Sequence, residues 1–282
     1  MLDTAVPIVT TLHRKATLSG AGAMKIAISG KGGVGKTTIM ALLAREFRKT
    51  GKEVLVIDAD PSPHMAQTLG IHDIERARPI AEMSELLAER SGKTPGSPFY
   101  QLNPRVDDLL RDFMIKEDGY KLMVLGAIQT AEGGCACPEN QVLRMMLKKM
   151  LLTANEVVLL DMEAGVEHLG RGTVAGADML LIVVIPSRSS IRTAKKIREL
   201  AEQVKIPRIG YVANLVRDRE DREFLTRELG EEPLAFFPDS AAIRKTERDD
   251  RPIIGVEEGL AQAPETLLKA VLEQDPGRRQ EE

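Results

Sequence analysis

The chain has 282 residues, with 39 Lys and Arg against 42 Asp and Glu, a formal net charge of −3. So even a balance carries no overall basic footprint for nucleic acid, and 3% aromatic residues without a Trp offer no stacking platform for single strands. Two Cys, no secretory pattern and no apolar run of bilayer length set the expectation of a reducing cytoplasm, no membrane and one α/β core.

Residues 1–23, with His13, Arg14 and Lys15 among small residues, show no sustained periodicity and read as a disordered extension. Either a start site upstream of the true beginning or an amphipathic targeting peptide would account for it. The segment 24–38, MKIAISGKGGVGKTT, then breaks a short apolar strand, Met24 to Ser29, with a glycine-rich loop that opens an amphipathic helix, Thr37 to Lys49. Gly30, Gly35, Lys36 and Thr37 meet the spacing Gly-x-x-x-x-Gly-Lys-Thr between a strand and a helix, the context that motif needs. Gly30, Gly32, Gly33 and Gly35 clear side chains from the loop, so the backbone N–H groups from Gly30 through Lys31 and Val34 to Thr38 can face phosphate oxygens. Lys36 is expected to reach the β- and γ-phosphates, and Thr37 to place its hydroxyl on Mg2+.

Lys31, straight after the first glycine, has no part in the minimal cradle. GKGGVGKTT resembles the deviant Walker motif of the family that holds the nitrogenase iron protein and the ParA and MinD partitioning ATPases. The resemblance implies a homodimer in which Lys31 crosses to the partner's nucleotide and acts there like an arginine finger.

Residues 53–60, EVLVIDAD, form an apolar run with two carboxylates at its end, as in a buried parallel strand. Asp58 and Asp60 are expected to face opposite ways, one toward the γ-phosphate and the other supporting the loop or the Mg2+ waters. The resemblance implies that Asp60 activates the attacking water; capping of the following turn is its alternative role. Residues 64–118 hold a helix near Ile80 to Glu89, a turn-rich stretch SGKTPGSP and a polar helix near Val106 to Met114, read as an insertion over one edge. Tyr120 to Ile128 returns as a strand. The loop EGGCACPEN follows, with Cys135 and Cys137 ahead of a helix from Glu139. Two thiolates can grip a soft metal, nickel or zinc, but a closed site takes four ligands. A twin subunit on a two-fold axis would supply the other pair.

Glu156 to Gly165, EVVLLDMEAG, reads as another buried strand, with Asp161 holding Mg2+ through water and Gly165 offering a backbone N–H to the γ-phosphate. His168 belongs to a switch segment running on from Asp161. A strand over Ala177 to Pro186 precedes a helix over Ser189 to Val204, whose Lys195, Lys196 and Arg198 fall on its wet face. RIGYVAN, 208–214, and LAFFPD, 234–239, read as two further strands, and Glu265 to Gln274 as a closing helix. The family resemblance implies that Asn214, Pro238 and Asp239 frame adenine, and an amide suits the amino group and ring nitrogen.

The pattern therefore predicts an α/β fold, a doubly wound and mostly parallel sheet with helices on both faces, of the P-loop NTPase class. It spans 24–275 as one domain ahead of a polar tail, 276–282. GKGGVGKTT, DADP, the Cys-x-Cys loop and DMEAGVEHLGRG together look most like the nickel-insertion ATPases of carbon monoxide dehydrogenase maturation, the CooC type. That resemblance implies ATP, Mg2+ and Ni2+ or Zn2+ as ligands, and carbon monoxide dehydrogenase or the related acetyl-CoA synthase as client. An iron-sulfur reductase like the nitrogenase iron protein is the first alternative, although that family's cysteines lie far apart in sequence. A MinD/ParA-type positioning ATPase is the second, and would have no use for the Cys pair.

Overall fold

The computed structural model describes residues 24–60, 62–72, 77–92, 104–126, 138–153, 156–162 and 177–273. Eight strands form one sheet: β1 (Lys25–Gly30), β2 (Val54–Ala59), β3 (Ile115–Glu117), β4 (Tyr120–Val124), β5 (Val157–Met162), β6 (Met179–Val184), β7 (Arg208–Val216) and β8 (Phe236–Pro238). Their order is β3-β4-β2-β5-β1-β6-β7-β8. Every neighbouring pair is parallel except β3 with β4, the doubly wound, mostly parallel sheet that the sequence predicts.

The central strands are buried on both faces, so they read as continuous apolar runs such as MLLIVV in β6. Their side chains still alternate between two cores. Ile26, Ile28, Val56, Leu159 and Leu181 face α1 (Lys36–Lys49), α2 (Met65–Thr68), α8 (Ala241–Arg248) and α9 (Ala263–Glu273). Ala27, Ile57, Leu160, Leu180 and Ile182 face α3 (Ser84–Ser91), α4 (Asp107–Asp112), α5 (Pro138–Thr153), α6 (Arg188–Gln203) and α7 (Arg219–Leu229). The chain leaves β1 toward β2 on one side and crosses to β6 on the other, placing a topological switch point at the carboxyl end of β1.

Several boundaries differ from the sequence reading. The helix expected near Ile80 to Glu89 is a short 3-10 turn, Ile80–Glu82, followed by α3. The turn is tied to the sheet by Ala81 N donating to Leu125 O at 2.9 Å, which a helix running straight through would not allow. The strand expected over Tyr120 to Ile128 ends at Val124. A three-residue strand, β3, precedes it through a hairpin at Asp118 and Gly119; Asp-Gly between two short runs was the available signal. Arg198 is not simply solvated. Its guanidinium pairs with Glu202 and Glu231 and lies 5.2 Å from the Tyr211 ring centroid. Lys195 and Lys196 are exposed, as expected. Among the described residues no helix is long and apolar enough to cross a membrane.

α1 carries the loop, so its anchorage decides how firmly the loop is held. Ile39, Met40, Leu42, Leu43 and Phe47 are fully or almost fully buried and share a core with Leu267 and Val271 of α9. Phe47→Ala removes one of the largest side chains there and should cost about 3–5 kcal/mol in urea denaturation. A loss under about 1 kcal/mol would mean that α1 is held by something other than this core.

Candidate functional site

Gly30 ends β1 with φ +156°, and a Cβ at that position would sit 2.6 Å from the Val183 carbonyl oxygen of β6. Only a glycine lets the chain leave the sheet there. At the other end of the loop Gly35, with φ +87°, is the N-cap of α1, and a Cβ would sit 2.4 Å from Asn214 Nδ2. That cap makes no side-chain hydrogen bond and the first turn of α1 has no acidic residue, so the leading N–H groups remain available to an anion. Gly30, Lys36 and Thr37 thus occupy the positions the motif assigns them. Lys36 is buried at the first position of α1, while Lys31, Gly32 and Gly33 are exposed. Thr38, the next residue along, turns its hydroxyl to Glu247 Oε1 at 3.1 Å.

Beneath the loop, β2 and β5 bring Asp58 and Asp161 into register, and both are about 1% exposed. Thr37 Oγ1 donates to Asp161 Oδ2 at 2.6 Å, and Asp161 Oδ1 is buried without a partner among the described residues. A hydroxyl and an unsatisfied carboxylate side by side fit a hard cation that prefers oxygen, so Thr37 and Asp161 would hold Mg2+. Bound there, Mg2+ would neutralise charge on the β- and γ-phosphate oxygens. Burial pushes Asp161 up from an ordinary 3.8 to about 7; the Asp58 charge adds to this, and the Thr37 hydroxyl and Lys36 oppose it. Burial likewise pushes Asp58 up to about 6, against hydrogen bonds from the Asp60 and Met65 backbone N–H groups.

The expectation that Asp58 and Asp60 face opposite ways fails. Residues two apart on a strand share a face, and β2 ends at Ala59, so Asp60 belongs to the turn beyond it. Asp58 is the supporting residue: it accepts from Asp60 N and from Met65 N, each at 3.1 Å. Asp60 lines the cavity above the loop and its Oδ1 accepts from Ser62 N at 2.9 Å, the capping bond that was its alternative role.

Two cavities meet at the loop. One of about 670 Å³ is lined by Lys36, Thr37, Asp60, His64 and Arg251. The other, about 550 Å³, is lined by Asn214, Leu215, Pro238, Asp239 and Arg244. Both are bordered by Gly33, Gly35, Thr38 and Glu247. A phosphate chain and a base joined by a sugar have this shape. Asn214, Pro238 and Asp239 are thus brought together, though Asn214 Nδ2 already donates to Val34 O at 2.9 Å and steadies the loop. A register shift between β7 and β8 at Ala213/Val216 sets this up, leaving Leu215 at φ +55° on the cavity wall. His64, Leu215, Arg244, Glu247 and Arg251 escaped the sequence reading because nothing local marks them. Lys31 Nζ donates to Ser189 Oγ of α6 at 3.0 Å. Cys135, Cys137, Gly165 and His168 lie outside the described residues.

CbiA, the CobQ/CobB/MinD/ParA nucleotide binding domain, matches residues 25–253. The chain belongs to this family. Its members are ATP-binding P-loop NTPases, and the loop, strand-end acids and twin cavities sit where such a fold binds nucleotide. Among relatives, an uncharacterised ATP-binding protein of Methanocaldococcus jannaschii is 41% identical over 82% of this chain and 91% of its own length. The carbon monoxide dehydrogenase accessory protein CooC of Rhodospirillum rubrum is 37% identical over 89% of this chain and 97% of its own. Aquifex aeolicus MinD in its MinC:MinD complex superposes with a TM-score of 0.64 at 24% identity, covering 90% of this chain and 97% of that one, a likeness of fold.

The raised carboxylates make stability depend on pH. With 3.8 for the unfolded chain and about 6 and 7 in the fold, the native state binds more protons between about pH 4 and 7. The contribution of both groups is therefore full below about pH 4 and is lost as pH rises through 7. In nucleotide-free chain, Asp161→Asn should gain on the order of 1–3 kcal/mol over wild type between pH 5 and pH 8, followed by thermal or urea unfolding. A difference that does not move with pH would mean that Asp161 is not strained by burial.

Proposed function

We propose that this chain is an ATP-dependent metallochaperone. It works as a homodimer that hydrolyses MgATP, holds nickel through Cys135 and Cys137 of both subunits, and inserts it into carbon monoxide dehydrogenase or the related acetyl-CoA synthase. The observation that carries the reading is the 37% identity to a carbon monoxide dehydrogenase accessory protein, spread over nearly the whole of both chains. Residues 24–275 act as one ATPase domain, and a reducing cytoplasm keeps the thiols free for metal.

In this reading Lys36 and the loop N–H groups hold the β- and γ-phosphates. Water attacks the γ-phosphorus as the bond to the β-bridging oxygen breaks; Asp60 takes the water's proton, and ADP leaves. Asp60 keeps one carboxylate oxygen for this while the other holds Ser62 N. Lys31 leaves Ser189 and reaches the partner's phosphates, and Gly165 senses the γ-phosphate. Closing and opening of the dimer changes the geometry of the four thiolates, which couples ATP turnover to metal release, and by reciprocity the metal changes nucleotide affinity.

An iron-sulfur reductase is the second reading, favoured by a 28% identity to a light-independent protochlorophyllide reductase iron-sulfur ATP-binding protein of Prochlorococcus marinus over 80% of this chain. The Cys-x-Cys spacing counts against it. Purified protein with iron-thiolate absorption in the visible would favour the reductase over the chaperone.

Lys31→Ala should bind ATP as wild type does and lose hydrolysis by about a thousandfold or more, the range for a cation supplied across an interface. Wild-type turnover in that variant would remove the trans role. Nickel titrated into the chain should bind at one ion per dimer, weaken on acidification because thiolates must shed protons, and fail in the Cys135→Ser, Cys137→Ser double variant. One ion per monomer, or undiminished binding in the double variant, would overturn the shared metal site.

A further inference from the structure

We propose that His64 is a positioning residue for hydrolysis: its ring fixes the Ser62 peptide and, through that peptide, the carboxylate of Asp60. The inference rests on the reading of Asp60 as the acceptor of the water's proton and adds to it the group that holds this acceptor in place.

The chain beyond β2 runs Asp60-Pro61-Ser62-Pro63-His64. Proline has no N–H, so Ser62 N is the one peptide donor between Asp60 and His64, and backbone bonds alone cannot tie this turn together. Side chains do so instead, one on each side of Ser62. Ser62 N donates to Asp60 Oδ1 at 2.9 Å, and Ser62 O accepts from His64 Nδ1 at 2.5 Å. A carbonyl can only accept, so the neutral His64 ring carries its proton on Nδ1 and leaves Nε2 without one.

The His64 main chain gives that grip a firm base. Its carbonyl accepts from Thr68 N at 3.0 Å and from Thr68 Oγ1 at 2.8 Å, at the far end of α2. The next residue, Met65, is fully buried, and its N–H donates to Asp58 Oδ2 at 3.1 Å. Support therefore passes from the core through Met65 to the His64 ring, to Ser62 and so to Asp60. Without the ring the Ser62 carbonyl loses its hold, and Asp60 Oδ1 is tied to a peptide free to turn. Asp60 and His64 line the same cavity, so a displaced carboxylate there misplaces the proton acceptor rather than the phosphates. Ser62 and His64 are exposed, so truncating the ring opens no hole in the core.

The experiment measures steady-state MgATP hydrolysis by the full chain for wild type, His64→Ala, His64→Asn, His64→Gln, Asp60→Ala and the Asp60→Ala, His64→Ala double variant. Asn carries its amide nitrogen where His carries Nδ1, and Gln carries it nearer Nε2, so the pair separates the grip on Ser62 from a contact by the outer nitrogen. In His64→Ala kcat should fall about ten- to a hundredfold with KM for ATP within about twofold of wild type. Asn should recover most of that loss and Gln should not. The double variant should be no slower than Asp60→Ala alone, because the two residues act as one unit. Wild-type turnover in His64→Ala, a loss that falls on KM, recovery by Gln, no recovery by Asn, or an additive loss in the double variant would overturn the positioning role and leave the ATPase reading standing. Wild-type turnover in Asp60→Ala would overturn the reading of Asp60 and this inference with it.

Discussion

Asp58 and Asp161 lie side by side on neighbouring strands, almost wholly out of water, and the rest of the site answers that burial of two carboxylates. Burial takes both carboxylates out of water, so both titrate well above an ordinary carboxylate, and the Asp58 charge raises Asp161 further. Each is then relieved differently. Asp58 takes two backbone N–H groups and organises the turn that carries Asp60. Among the described residues Asp161 takes only the Thr37 hydroxyl and keeps an oxygen unpaired, an unmet demand for a cation beneath the phosphate loop.

Because the loop is small it cannot hold its own shape, and its neighbours do so. Val183 closes against Gly30, and Asn214 holds Val34 from the strand that also lines the base cavity. The phosphate and base halves of the site therefore share one support. Anything that shifts β7 shifts the loop, and Thr38 and Glu247 bind the same loop to α8. Lys31 stands apart from this, exposed and attached to α6 through Ser189.

The phosphate loop was legible in the sequence because its constraints are local: glycines where a Cβ would strike the backbone or a neighbour, a lysine at the first helical position, an adjacent hydroxyl. The parallel sheet was legible too, from apolar runs ending in acids. What sequence reading missed depends on distant partners. Ser240 marks the start of the short helix that carries Arg244 and Glu247, but nothing local marks their place at the site, which comes from that helix packing beside residues some two hundred positions earlier in the chain. The error over Asp58 and Asp60 arose from extending β2 one residue too far and misjudging its alternation, whereas a turn there places the second acid independently. Arg198 looked solvated because its acidic partner Glu231 and the Tyr211 ring come from other elements.

The proposed account joins the cradle to a second subunit, whose nucleotide Lys31 is proposed to serve. Its most direct test is the mass in solution of the metal-free chain, by sedimentation velocity, without nucleotide and with MgATP or a non-hydrolysable analogue. The account predicts one chain without nucleotide and two with it. A mass that is the same in both states would contradict it.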